Sequence, residues 1–257
     1  MAFAEIEPFP SAVLAHRFPN TPNLGDFTKI GKDDVGAIDL LVGGTPCQNF
    51  SVAGLRAGLA GDRGALTIEF LRLAERLRPQ WLVWENVPGI LSIDGGRAFG
   101  TFLGLLGKLG YGFAYRILDA RHFGIPQRRR RVFVVGCFGD WRRAGQVLFN
   151  GFSLSGHPAP RHETGPGPSL CVTARFGSGR NDPTAETYIA NAAQTSVRRL
   201  LPVECEKLQG FEPGWTAVPY RGKPASDGPR HRSIGNSFAV PVISWIGTRI
   251  DLVAANR

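Results

Sequence analysis

The sequence predicts an α/β domain with a largely parallel sheet. Short apolar runs alternate with amphipathic ones through its first half, and most runs end in Gly, Pro or Asn, where a strand would pass into a loop. Residues 38–42 read as a buried strand ending at Gly43 and Gly44. Leu66, Phe70, Leu73 and Leu77 recur at helical spacing, with Pro79 as a stop. Residues 81–84 form a second strand, closed by Asn86, Pro88 and Gly89. Residues 99–109 read as helix, and Gly104, Gly107 and Gly110 along this pattern are expected to be a packing feature. Residues 111–118 and 132–135 add two further strands.

The pattern fails after Phe138. Residues 151–187 are rich in Gly, Pro, Ser and Thr, which suits either a linker or a small loop-rich module with short strands at 170–174 and 188–190. Order returns at Leu201, where Pro202 suits the first turn of a helix carrying Glu204 to Gln209. Phe238, Val242, Trp245, Ile246 and Ile250 then share one helical face.

Hydrophobic residues at 43% and charged residues at 20% exclude a wholly disordered chain. Gly, Pro or charge breaks every apolar run short of the roughly 18 residues a membrane span needs, so no membrane is expected. The first residues carry no basic leader region, so a cytoplasmic protein with reduced thiols is expected. The four cysteines, Cys47, Cys137, Cys171 and Cys205, form no CxxC, so neither a metal site nor a redox pair is expected. A net charge of +9 favours a polyanionic partner without proving one.

Three segments carry chemistry. Cys47 lies in GGTPCQNFS, directly after a strand, where open α/β sheets form their crevice. Glu85 and Asn86 stand at a similar strand end in WENVPG. Gln127 and four arginines precede another strand in IPQRRRRVFVVG; by alternation Gln127, Arg129 and Arg131 share one side, and Arg128 and Arg130 the other.

These residues resemble a DNA cytosine C5-methyltransferase of the bacterial or bacteriophage modification type. TPCQNFS is similar to the family's nucleophile loop, ENV to its glutamate motif and QRRRR to its Gln-x-Arg-x-Arg motif. RRLLPVECEKLQGFEPGW resembles the motif that organises target recognition, and RSIGNSFAVPV the motif that returns to the cofactor pocket. All five occur in the family's order. The resemblance implies a Rossmann-like sheet at residues 1–138 plus 232–257 and a loop-rich target-recognition domain at 139–231. It implies Cys47 as nucleophile, Glu85 as the acid facing the base, Arg129 as a base contact and Arg131 as support for the cysteine loop. It further implies a flipped cytosine from duplex DNA and S-adenosylmethionine as methyl donor, with Glu5, Asp26, Leu66 and Asn236 in its pocket.

One family feature is missing. The glycine-rich cofactor turn has no match at the expected position, and Glu5 resembles the acid that follows such a turn by about 20 residues. The first strand, turn and helix are therefore expected to precede Met1. A misplaced start, a decayed gene and a partner supplying the piece are the three accounts. The chain as written, otherwise expected to be monomeric, should bind S-adenosylmethionine weakly. Alternative readings are a DNA-binding relic without catalysis, an RNA cytosine methyltransferase, and a thiol hydrolase using His122.

Overall fold

The computed structural model describes residues 1–46, 66–149, 188–190 and 197–256. Its centre is a four-stranded sheet of β1 (Leu40–Gly44), β2 (Trp81–Asn86), β3 (Tyr111–Asp119) and β4 (Arg130–Phe138), in the order β1-β2-β4-β3. β1 and β2 run parallel, Leu40 opposite Trp81 through Gly44 opposite Glu85. β4 is antiparallel to both its neighbours, with Phe133 opposite Glu85 on β2 and Arg131 opposite Leu118 on β3.

The largely parallel sheet expected from sequence is thus corrected to a mixed one. The cause is the connection from β3 to β4. Between Asp119 and Arg130 it holds only a 3-10 turn, Ala120–Phe123, whereas parallel neighbours need a crossover of a dozen or more residues. The chain doubles back and β4 fits between β2 and β3.

Alternation along the strands sends side chains to two cores. On one face Leu82, Trp84, Val132 and Val134 meet Phe70 and Leu71 of the helix Leu66–Leu77 and Phe99 and Phe102 of the helix Arg97–Lys108. Trp84 stacks on Phe102 with ring centroids 4.3 Å apart. On the other face Trp81, Val83, Phe133 and Val135 meet Val147 of the helix Trp141–Leu148 and Val242, Ile246 and Ile250 of the last helix, Val240–Ala255. Burial on both faces explains why β2 reads as an unbroken apolar run.

Around this sheet lie smaller pieces. Phe3 makes a single parallel bridge to Asn23, and the helix Pro8–Arg17 intervenes. Beyond β1 no further strand pairs among the described residues, and Leu40 and Val42 are 38% and 39% exposed. The helix Pro202–Gln209 begins with proline as expected and packs Cys205 and Leu208 against Ile234 of the helix Asp227–Asn236. The stretch Asp227–Ala255 is apolar and long enough by composition to cross a membrane, but Ser237 to Ala239 divide it into two helices and the second packs on the sheet.

The glycines of residues 104–110 do not behave alike. A side chain at Gly104 would meet nothing within 4 Å, and at Gly107 only a ring atom of Phe113 at 3.9 Å. Only Gly110, with φ +92° and the Phe138 ring 3.1 Å from a built Cβ, is held by its surroundings. Packing against a neighbour therefore does not explain Gly104. Gly112 is the tighter position, since its Cβ would lie 2.1 Å from the Trp141 backbone nitrogen. Gly104→Ala is expected to raise unfolding stability by about 1 kcal/mol through helix propensity. Gly112→Ala is expected to lower it by about 3 kcal/mol through overpacking. Urea denaturation of both proteins checks this, and shifts of the same sign would contradict it.

Candidate active site

Three motifs far apart in sequence meet because of strand direction. β1 and β2 run parallel, so their carboxyl ends, Gly44 and Glu85, lie side by side. β4 runs the other way, so its amino end brings Arg129 and Arg131 to the same end of the sheet. The alternation expected for the arginine run is observed: Gln127 and Arg129 are buried at 0% and 4% exposure, while Arg128 and Arg130 are exposed.

Glu85 is the centre of this group. Its Oε1 lies 3.1 Å from Nε of Arg131, and both side chains are largely buried, at 13% and 17% exposure. Burial pushes the Glu85 carboxyl above the ordinary carboxylate range, against the opposing pull of Arg131 and Arg129. Gly44 leaves room for this side chain, since a Cβ there would lie 3.2 Å from Glu85 Oε2 and 3.3 Å from the Phe238 ring.

Arg129 reaches the segment that joins the last two helices. Its Nη2 donates to the carbonyls of Gly235 at 3.3 Å and Ser237 at 2.8 Å. Gln127 donates to the carbonyl of Leu208 and to Gln209 Oε1, at 2.6 and 3.0 Å. Gln209 in turn donates to the carbonyl of Ile234 at 2.9 Å. Buried amides thus join the segment before β4 to the helix Pro202–Gln209 and, through Gln209, to the helix that ends at Asn236, where each would otherwise carry an unpaired polar group.

Cys47 lies outside the described residues, which reach Pro46 on that side. The residue two positions before it, Thr45, is held by side chains of the neighbouring elements. Thr45 Oγ1 accepts from Trp84 Nε1 at 3.0 Å and shares a 2.9 Å hydrogen bond with Thr67 Oγ1, while Asn86 Nδ2 donates to the Thr45 carbonyl at 2.9 Å. Sequence reasoning missed Thr45 and Thr67. The available signal was Trp84: a tryptophan in a buried strand needs a partner for its ring N–H.

On the far side of residues 235–237 lies a mostly apolar cavity of about 580 Å³. Glu5 and Asn236 both line it, with Phe18, Phe211 and Trp215 as aromatic wall. Phe211 and Trp215 stack with centroids 5.8 Å apart, and the Arg17 guanidinium sits 4.9 Å over Trp215. Asp26 and Leu66 do not line this cavity. Asp26 caps the 3-10 turn Phe27–Lys29, its Oδ1 accepting from Thr28 N and Oγ1, and these bonds hold its carboxyl below the ordinary range. Leu66 opens the helix Leu66–Leu77. The Phe3–Asn23 bridge and the Glu5 N–H bond to Asn23 Oδ1, 2.9 Å, set the Glu5 segment beside the strand-like stretch that leads to Asp26.

The sequence profile of C-5 cytosine-specific DNA methylases matches residues 1–164 and 169–251. The chain belongs to this family. A Type II methyltransferase, M2.BsuMI of Bacillus subtilis strain 168, is 30% identical over 97% of this chain and 69% of its own length. A protein of Escherichia phage P1 named DNA N-6-adenine-methyltransferase is 32% identical over 96% of this chain; the chain spans 57% of that relative's length. That alignment runs over 434 positions against 257 residues here, so the phage protein carries long insertions within the shared region. Among solved structures, the Dnmt2 methyltransferase of S. pombe superposes with a TM-score of 0.70 at 16% identity, covering 97% of this chain and 90% of that one. The fold is that of the methyltransferases, a mixed α/β architecture, as the Rossmann-like reading expected.

For this methylase-family chain the raised carboxyl of Glu85 has a measurable consequence. The native state keeps the Glu85 proton at pH values where the unfolded chain has released it. The contribution is full below the ordinary carboxylate pKa and is lost as pH rises through the raised one. Wild-type stability is therefore expected to fall with rising pH relative to Glu85→Gln, which cannot titrate. Urea unfolding of both proteins across acidic to neutral pH checks this, and a stability difference that does not change with pH would contradict it.

Proposed function

We propose that the chain transfers a methyl group from S-adenosylmethionine to C5 of a cytosine flipped out of duplex DNA of specific sequence. The observation that carries this reading is the buried Glu85 carboxyl, biased toward its neutral form and oriented by Arg131, beside the stem of the Cys47 turn.

Cytosine C5 is a weak nucleophile. In the proposed reaction the Cys47 thiolate bonds to C6, and the electron pair displaced from the C5=C6 bond is delocalised toward N3. The neutral Glu85 carboxyl gives its proton to N3, which leaves an enamine whose C5 can take an electrophile. After C5 is methylated, water takes the C5 proton as the thiolate leaves C6, and N3 returns its proton to Glu85, which restores the ring and the acid. Arg131 orients Glu85. Arg129 is assigned the base contact, and its Nη2 also donates to the Gly235 and Ser237 carbonyls. A base inside a duplex must leave the stack for any of this to occur.

The cavity's residues fit the proposed cofactor. An aromatic wall suits adenine, and the Glu5 carboxylate and Asn236 amide suit ribose hydroxyls and polar ends. Bound there, S-adenosylmethionine supplies an electrophilic methyl group. Asp26 is proposed at the adenine amino group and Leu66 as an apolar contact on the family resemblance alone, since neither lines the cavity. Residues 139–231 are proposed to read the DNA, and 1–138 with 232–257 to carry the chemistry, in the cytoplasm.

The test is transfer of labelled methyl from S-adenosylmethionine to duplex DNA, followed by digestion to nucleosides. The expected product is 5-methylcytosine, absent with Cys47→Ser. Turnover by Glu85→Gln should fall by about a hundredfold or more, the usual size of a general-acid contribution. Labelled N6-methyladenine, the product implied by the phage P1 relative's name, would overturn the proposal, as would full activity of Cys47→Ser.

A further inference from the structure

The catalytic strand presents two rows of side chains, and the proposed chemistry uses only one. Arg128 and Arg130 are exposed on the row opposite Gln127, Arg129 and Arg131. They are two residues apart, Arg128 just before β4 and Arg130 its first residue. Neither makes an ion pair or a side-chain hydrogen bond among the described residues. The one acid in register with Arg130 is Asp119 on β3, and it is already neutralised: Arg121 Nε lies 3.2 Å from its Oδ2, and Asp119 is buried at 2% exposure. Other arginines on this scaffold are used within the protein. Arg76 donates to the Ile30 carbonyl, Arg143 to that of Val253, and Arg230 pairs with the buried Glu206. Among the described residues Arg128 and Arg130 are two solvated cations without counter-charge, at the end of the sheet that holds Glu85.

We infer that Arg128 and Arg130 clamp the DNA backbone, each neutralising a phosphate beside the target base, and hold the duplex against the catalytic end without reading its sequence. This rests on the proposal that the substrate is duplex DNA. A guanidinium matches phosphate geometry and keeps its charge at any working pH. Position next to Arg129 and Arg131 at the start of β4 fixes these contacts relative to the base site, so that phosphate binding sets the register of the duplex.

Binding of a duplex is measured by fluorescence anisotropy from 50 to 300 mM salt, for a modified-site sequence and an unrelated one. Each phosphate contact on duplex DNA contributes about 0.9 to the slope of log K against log salt. The Arg128→Ala/Arg130→Ala protein is expected to lose about 1.8 from that slope, equally on both sequences. The Arg128→Lys/Arg130→Lys protein is expected to recover most of it, which separates lost charge from lost fold. Arg142→Ala, an exposed arginine at the opposite end of the sheet, is expected to keep the wild-type slope. An unchanged slope in the double alanine protein would overturn the clamp and leave the DNA reading intact. Weakening confined to one sequence would overturn it in favour of base reading. Absence of salt-dependent duplex binding by the unaltered chain would overturn the DNA reading itself, and the clamp with it.

Discussion

The ion pair between Arg131 and Glu85 is the interaction on which the site depends, and it exists only because β4 runs against β2. A parallel β4 would have carried its arginines to the far end of the sheet, some 25 Å away for a nine-residue strand. The inserted antiparallel strand instead delivers guanidinium groups to the carboxyl end of β2, where burial makes a lone carboxylate costly. Arg131 and Arg129 offset that cost only in part, and the carboxyl keeps a raised pKa. A group poised in this way can hold a proton against a ring nitrogen and still be oriented by a fixed partner.

The same strand couples the two sides of the site. Arg129 grips the carbonyls of Gly235 and Ser237, and Asn236 between them faces the cavity that Glu5 also lines. A shift of residues 235–237 on the cavity side is therefore felt by a guanidinium that acts electrostatically on Glu85. Behind this, Glu206 at 0% exposure accepts from the N–H groups of Gly214 and Thr216, at 2.6 and 2.8 Å, and pairs with Arg230. Those bonds fix the loop that carries Phe211 and Trp215, so the cavity wall is set by a buried carboxylate eight residues or more from the backbone it holds.

Much of this was legible in the sequence, and what was not has a physical reason. The strands read at 81–84 and 132–135 and the helix at 66–77 were marked by local apolar runs and spacing, which depend only on neighbours along the chain. The side-sharing of Gln127, Arg129 and Arg131 followed from the same period of two. Strand direction was not legible, because it is decided by whether the link before Arg130 can hold a crossover. The Gln127–Gln209 and Glu206–Thr216 bonds join positions with no periodic relation, so the helix expected after Pro202 gave no sign of them. Glu5 and Asn236 stood out by resemblance, and nothing local signals that they share one cavity. Asp26 and Leu66 were linked to the same pocket by resemblance alone, and they stand outside its lining.

The central claim is that Cys47 works with Glu85 on a flipped cytosine. The most direct measurement uses a duplex in which 5-fluorocytosine replaces the target base, incubated with the chain and S-adenosylmethionine. Fluorine at C5 cannot leave as a proton does, so the thioether to C6 persists after methylation. The account predicts a denaturation-resistant protein–DNA adduct whose mass equals chain, duplex strand and one methyl group, mapped by digestion to the peptide containing Cys47. Full adduct formation by Cys47→Ser, or methylated DNA product without any trapped species, would contradict it.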